Sequence, residues 1–161
     1  MLKNLTTFIS ASFILFTLSA CDSKKESAPS KASEAVSINN PHIRAMPPGQ
    51  KVTAMYFELK NSSANKHELV SVISETEISD KIELHTHTNN NGVMQMGQVE
   101  SIPVSANSST FAKPGSYHVM IMGLNKELAL GEKYNFNLIF KDGSSTEITA
   151  EVKKIDVHKH H

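Results

Sequence analysis

In the run Tyr117-His118-Val119-Met120-Ile121-Met122, an imidazole and a thioether stand two residues apart among strand-forming neighbours. Side chains alternate across a strand, so His118, Met120 and Met122 share one face and Tyr117, Val119 and Ile121 the other. His118 and Met120 then project the same way, about 6.6 Å apart along the backbone, near enough to converge on one ion. Imidazole beside thioether is a soft, neutral pair. Thioether sulfur selects Cu(I), whereas Mg and Ca take oxygen, and structural Zn takes thiolates or several imidazoles.

Two further residues extend this pair. His85 closes the run Ile82-Glu83-Leu84-His85 on the face opposite Ile82 and Leu84, which places it outside the core. Met96 lies beyond the turn-forming Asn89-Asn90-Asn91-Gly92, where a hairpin return would bring it back toward His85. Ten residues separate His85 from Met96, and twenty-one separate Met96 from His118. Methionine more commonly fills cores, and that is the expectation for Met94 and Met122. Met122, on the ligand face, is also placed to line the site. His42, His67 and His87 read as surface histidines. His87, two residues beyond His85 on the same strand face, is the one among them with a second reading, as an outer partner or alternative ligand.

The elements that must position these residues are strands. In Lys133–Phe140 the residues Tyr134, Phe136, Leu138 and Phe140 recur with period two. Further candidate strands are Ile38–Arg44, Val52–Asn61, Leu69–Glu75, Lys81–His85, Val93–Ile102, Thr110–Ala112, Tyr117–Met122 and Thr146–Lys153. Turn chemistry separates them, as in Pro47-Pro48-Gly49, Pro114-Gly115 and Lys141-Asp142-Gly143. Eight or nine short strands at this spacing predict an all-β Greek-key sandwich or barrel over 37–153. The helical pieces expected are short turns near Leu124–Leu130.

The N-terminus reads as an address. Lys3 precedes the apolar stretch Phe8–Leu18, and small residues lead into Cys21, the chain's one cysteine. Residues 1–20 match a secretory signal peptide, too short and weakly flanked for a stable membrane span. Leu18-Ser19-Ala20-Cys21 resembles a bacterial lipobox, whose cysteine is acylated. Two or more acyl chains, at about 0.8 kcal/mol per buried methylene, hold a protein on a membrane durably. The polar residues that follow, through position 36, lack the apolar content to fold and read as a tether spanning roughly 20 Å. The expected location is the bacterial cell envelope, on the periplasmic side. Asp22 after the lipobox implies the inner membrane. At the other end, 154–161 form a His-rich tail in which His158, His160 and His161 are candidates for a secondary site taking Cu(II).

The pattern His85-x10-Met96-x21-His118-x-Met120 resembles the copper motif of the PCu(A)C family of periplasmic copper chaperones. The neighbouring text agrees: Ile43-Arg44 with Pro48-Gly49 before Thr53-Ala54-Met55-Tyr56, Gly92-Val93-Met94, Pro114-Gly115 and Met122-Gly123-Leu124. A tryptophan frequent in that family near the first strand is absent, with Pro41-His42-Ile43 in that region. The resemblance implies a cupredoxin-like β-sandwich holding one Cu(I), and a role supplying copper to the copper centre of cytochrome c oxidase. Its implied partners are an oxidase subunit or another copper chaperone, with the chain itself a monomer anchored to the membrane by lipid.

Other classes fit less well. Lys plus Arg and Asp plus Glu both number 16, which leaves no electrostatic footprint for nucleic acid. A blue-copper electron carrier needs a thiolate, and beyond Cys21 the chain has none. No phosphate loop or Ser-His-Asp arrangement stands out, so an enzyme is not expected. The remaining alternatives are a copper-buffering or resistance protein without a dedicated oxidase target, and a non-metal β-sandwich assembly module.

Overall fold

The computed structural model describes residues 30–155; Cys21, the signal segment, most of the tether, and His158, His160 and His161 lie outside the described residues. A short helix α1 (Ala32–Ala35) precedes ten strands: β1 (Val36–Arg44), β2 (Val52–Asn61), β3 (His67–Ser74), β4 (Ser79–Asn90), β5 (Val93–Gln98), β6 (Ile102–Val104), β7 (Ser109–Ala112), β8 (His118–Leu124), β9 (Lys133–Phe140) and β10 (Ser145–Lys153). The all-β, cupredoxin-like class is the one expected. The predicted strand 93–102 divides into β5 and β6, which brings the total to ten.

The strands follow one hydrogen-bonded path, β5-β4-β8-β2-β1-β10-β9-β3-β6, with β7 pairing the far half of β2. Pairing is antiparallel except between β1 and β10. The sheet curls until β6 reaches β7, where the Thr110 hydroxyl donates to the Pro103 carbonyl at 2.7 Å. One apolar face is thereby enclosed. β9 buries Tyr134, Phe136, Leu138 and Phe140, the period-two set. Ile43, Met55, Leu59, Leu69, Val119, Ile121 and Val152 complete the centre, each fully excluded from solvent.

Two expectations change. The tether ends sooner: α1 lies within the span read as unstructured, with Ala32, Ala35 and Val36 buried. Its first turn is held by Asp142 and Ser144 on the β9–β10 hairpin, which accept from the Ala32 and Ser33 amides at 2.7 and 3.0 Å. These partners lie more than a hundred residues away, invisible to local composition. Near Leu124–Leu130, where helical turns were expected, β8 runs on to Leu124 and residues 125–130 form bends, irregular chain and a turn without helix. Leu124 and Leu128 from that stretch are buried in the core.

For the site, the key element is β4. Its first half pairs with β8 and its second half only with β5. The β4–β5 hairpin turns on Asn91 and Gly92, with φ of 52° and 86°. Asn90 and Val93 face each other across it, so this is a two-residue loop of the kind that needs positive φ at both positions. Asn89 caps the turn by accepting from the Gly92 amide at 2.8 Å. The hairpin therefore projects past the body, and every residue of β5 is exposed.

Candidate metal centre

The register fixes which side chains meet. His85 and His118 are paired across β4 and β8, as are Glu83 and Met120, while His87 pairs with Met96 across β4 and β5. Residues paired or two apart share a face, so Glu83, His85, His87, Met96, His118 and Met120 all project from one side. The opposite side of β8 carries Val119 and Ile121 into the core.

His118 Nε2 stands 3.2 Å from Met96 Sδ. The other ring nitrogen, Nδ1, donates to the Ser116 carbonyl at 2.9 Å, since a carbonyl can only accept. Nε2 is consequently the unprotonated nitrogen, and its lone pair faces sulfur. Neither atom satisfies the other strongly. Nitrogen and sulfur ligands about 2.0 and 2.3 Å from a tetrahedral metal would stand about 3.5 Å apart. The observed separation is within a few tenths of that.

His85 is set in the same manner from the other direction. Its Nε2 bonds to the Glu83 carboxylate at 2.9 Å, so in the neutral ring Nε2 carries the hydrogen. Its Nδ1 is buried and has no hydrogen-bond partner. A ring that donates one N–H to a carboxylate and leaves the other nitrogen bare has the arrangement of a metal-bound histidine. Lys81 forms an ion pair with the same Glu83, and these two contacts hold its carboxyl below the usual range.

His118 is 3% exposed. Burial disfavours the imidazolium and lowers its pKa; the Ser116 bond opposes this, and nearby His87 and His85 add to it. The ring is thus kept in the neutral form that ligates.

Met96, His118, Met120 and His87 line an open cavity of about 370 Å³. Its opposite wall comes from the β1–β2 region: Arg44, Met46, Gln50, Val52, Ala54 and Tyr56. Ala54 faces Met120 across β2 and β8, and its small side chain leaves the space open. His85 is outside this lining, with its ring centroid 5.9 Å from that of His118. Among the described residues no group of three or more His, Cys, Asp or Glu is placed to hold a metal. An ion bound here would depend on the thioethers.

The structure thus brings His85, Met96, His118 and Met120 onto one face, the last three of them lining one cavity. It also brings in His87, read first as a surface residue, whose ring centroid is 5.1 Å from that of His118. Four other residues depart from expectation. Met94 is 55% exposed and no core filler, because the projecting hairpin has no second layer over it. Met122 is half-buried and outside the cavity lining. His67 is buried, its Nε2 hydrogen-bonded to Ser63 Oγ at 3.1 Å. His42 is half-buried, its ring against Tyr56. The β1–β2 wall was missed as part of the site. Its signal lay in β2, where Ala54 and Tyr56 alternate out of phase with core residues Met55 and Phe57 yet are themselves buried.

Comparison with known proteins identifies the family and the fold. A family model described as "Putative lipoprotein LpqE-like" matches residues 36–152. A relative named "Putative lipoprotein Lxx21020", from Leifsonia xyli subsp. xyli (strain CTCB07), is 29% identical over 126 residues, covering 78% of this chain and 74% of its own. The Cu(I) form of DR1885 from Deinococcus radiodurans has 27% identity and a TM-score of 0.62, over 84% of this chain and 85% of that one. The copper-bound PCuAC domain from PmoF2 shares the fold, with 21% identity and a TM-score of 0.62 over 75% and 94%. The body has the fold of the PCuAC domains, and with a family model spanning nearly all of the described residues, the chain belongs to the family described as putative lipoprotein LpqE-like.

Proposed function

We propose that this protein is an extracytoplasmic copper chaperone that carries one Cu(I) as cargo on His85, Met96, His118 and Met120. The observation that carries the reading is the 3.2 Å approach of His118 Nε2 to Met96 Sδ, two bare donor atoms facing one another beside Met120. The donor set is neutral and soft, which suits Cu(I). It has no thiolate to be oxidised in an oxidising compartment. The likeness to the Cu(I) form of DR1885 supports the same metal and oxidation state.

Met96 is 49% exposed, which favours hand-over to another protein over permanent storage. The recipient we infer is a copper-receiving oxidase subunit, or another chaperone on the route to the copper centre of cytochrome c oxidase. Acylation at Cys21 would keep the cargo near such a membrane partner, and Cys21→Ser should then move the protein to the soluble fraction. The family description and the relative's name support a lipoprotein.

The deciding experiment is anaerobic Cu(I) titration against a chromophoric competitor. The wild type should take one equivalent, and His118→Ala or Met120→Ala should each lose at least about tenfold in affinity, or 1.4 kcal/mol. Wild-type affinity in Met96→Ala/Met120→Ala would overturn the site. Delivery is separated from buffering by a deletion strain, whose oxidase activity should fall and return on adding copper.

A further inference from the structure

We propose that His87 is an additional ligand of this site, able to replace His85 and move the ion toward the open hairpin. The inference rests on the copper reading above. Four observations converge on His87. It pairs with Met96 across β4 and β5. It lines the cavity with Met96, His118 and Met120, whereas His85 does not. The His87 ring lies nearer to His118 than the His85 ring does, 5.1 against 5.9 Å between centroids. Its Nδ1 is buried and lacks a hydrogen-bond partner, the condition also found in His85.

The two imidazoles differ in how they are held. His85 is fixed by Glu83 where β8 covers the strand. His87 lies one strand repeat further on, about 6.6 Å along β4, in the half that pairs only with exposed β5. An ion shared by His118, Met96 and Met120 therefore has an inner fourth ligand and an outer one. Exchanging His85 for His87 keeps the coordination number at four while the ion shifts outward, so release need not pass through a three-coordinate state. No proton or electron is transferred; one metal–nitrogen bond forms as another breaks.

A double-mutant cycle on Cu(I) affinity tests this, using His85→Ala, His87→Ala and both together in the full-length protein. If the two rings substitute for each other, His87→Ala should cost only a few-fold alone and at least fivefold more in the His85→Ala background. An equal or smaller cost in that background overturns the proposal. In ¹⁵N-histidine-labelled His85→Ala protein, Cu(I) should shift the His87 ring nitrogens, and unmoved signals would also overturn it. His87→Gln, which keeps a polar side chain on the hairpin, should reproduce the alanine result if ligation is what is lost. A wild type that takes no Cu(I) defeats the copper reading itself, while normal uptake with uncoupled histidines defeats the exchange alone.

Discussion

The His85 ring is tied to Glu83 through Nε2 at 2.9 Å, and Lys81 holds the other side of the same carboxylate. This relay determines which nitrogen of His85 is bare. Outer partners of this type are worth about 10–100-fold in metal affinity. Glu83→Ala should therefore lower Cu(I) affinity by that factor with secondary structure intact. Glu83→Gln retains an oxygen that can accept from Nε2 and should lose less. Competitor titration of the two variants checks the order, and equal losses would refute orientation as the cause.

His118 predicts a pH dependence with a definite sign. Its pKa is lowered in the folded protein, chiefly by burial. An unfolded chain, with an imidazole pKa near 6.5, takes up the proton first as pH falls. The copper-free protein should thus lose stability from about pH 6.5 downward until the folded ring titrates, and show no His118 contribution above that. Denaturant melts at pH 7.5 and pH 5.5 measure this, and His118→Gln should flatten the difference. Cu(I) affinity should persist to lower pH than an ordinary imidazole would allow, because the depressed pKa keeps Nε2 unprotonated.

The strand-borne half of the site was legible because alternation is a strong local rule. His118 and Met120 two residues apart, with Val119 and Ile121 between and beyond, fix both the face and its partner core. Met96 was legible through spacing and the Asn91-Gly92 turn. What stayed hidden depends on residues distant in sequence. That His87 belongs at the cavity follows from β4 running five residues past its pairing with β8, which no period-two pattern reveals. The burial of α1 depends on Asp142, and that of His67 on the fold of the loop around Asn61 and Ser63. The strands could be read one at a time; the order β5-β4-β8-β2 that assembles the site could not.

Asn61 supports that loop from inside. It is 1% exposed, and its amide nitrogen donates to the carbonyls of Asn65 at 2.7 Å and Ser105 at 3.0 Å. Its Oδ1 accepts from the Ser63 amide and hydroxyl, both at 2.9 Å. Each buried group left unpaired costs about 1–3 kcal/mol. Asn61→Ala should therefore lose about 2–4 kcal/mol in urea unfolding. Asn61→Asp should be worse, because a carboxylate would point acceptor oxygens at those carbonyls. The copper affinity of whatever remains folded should be unchanged, since the loop is remote from β8.

Gly123 sits in β8 one residue past Met122, with φ of 68°. A Cβ added there would meet the Asp80 side chain, Oδ2 most closely, then Cγ at 2.6 Å and Cβ at 2.8 Å. The carboxyl group could rotate aside, but Cβ is fixed to the Asp80 backbone and cannot. Positive φ alone costs a non-glycine residue about 1–3 kcal/mol, and the steric contact adds to it. Gly123→Ala should accordingly lower the melting temperature by several degrees at least. The two causes separate in a double variant: Asp80→Gly removes the obstructing atoms but not the backbone strain. Gly123→Ala/Asp80→Gly should recover part of the loss, and the unrecovered part measures the cost of left-handed backbone at the strand that carries His118 and Met120. Full recovery would mean that the conformation at Gly123 is set by Asp80 alone.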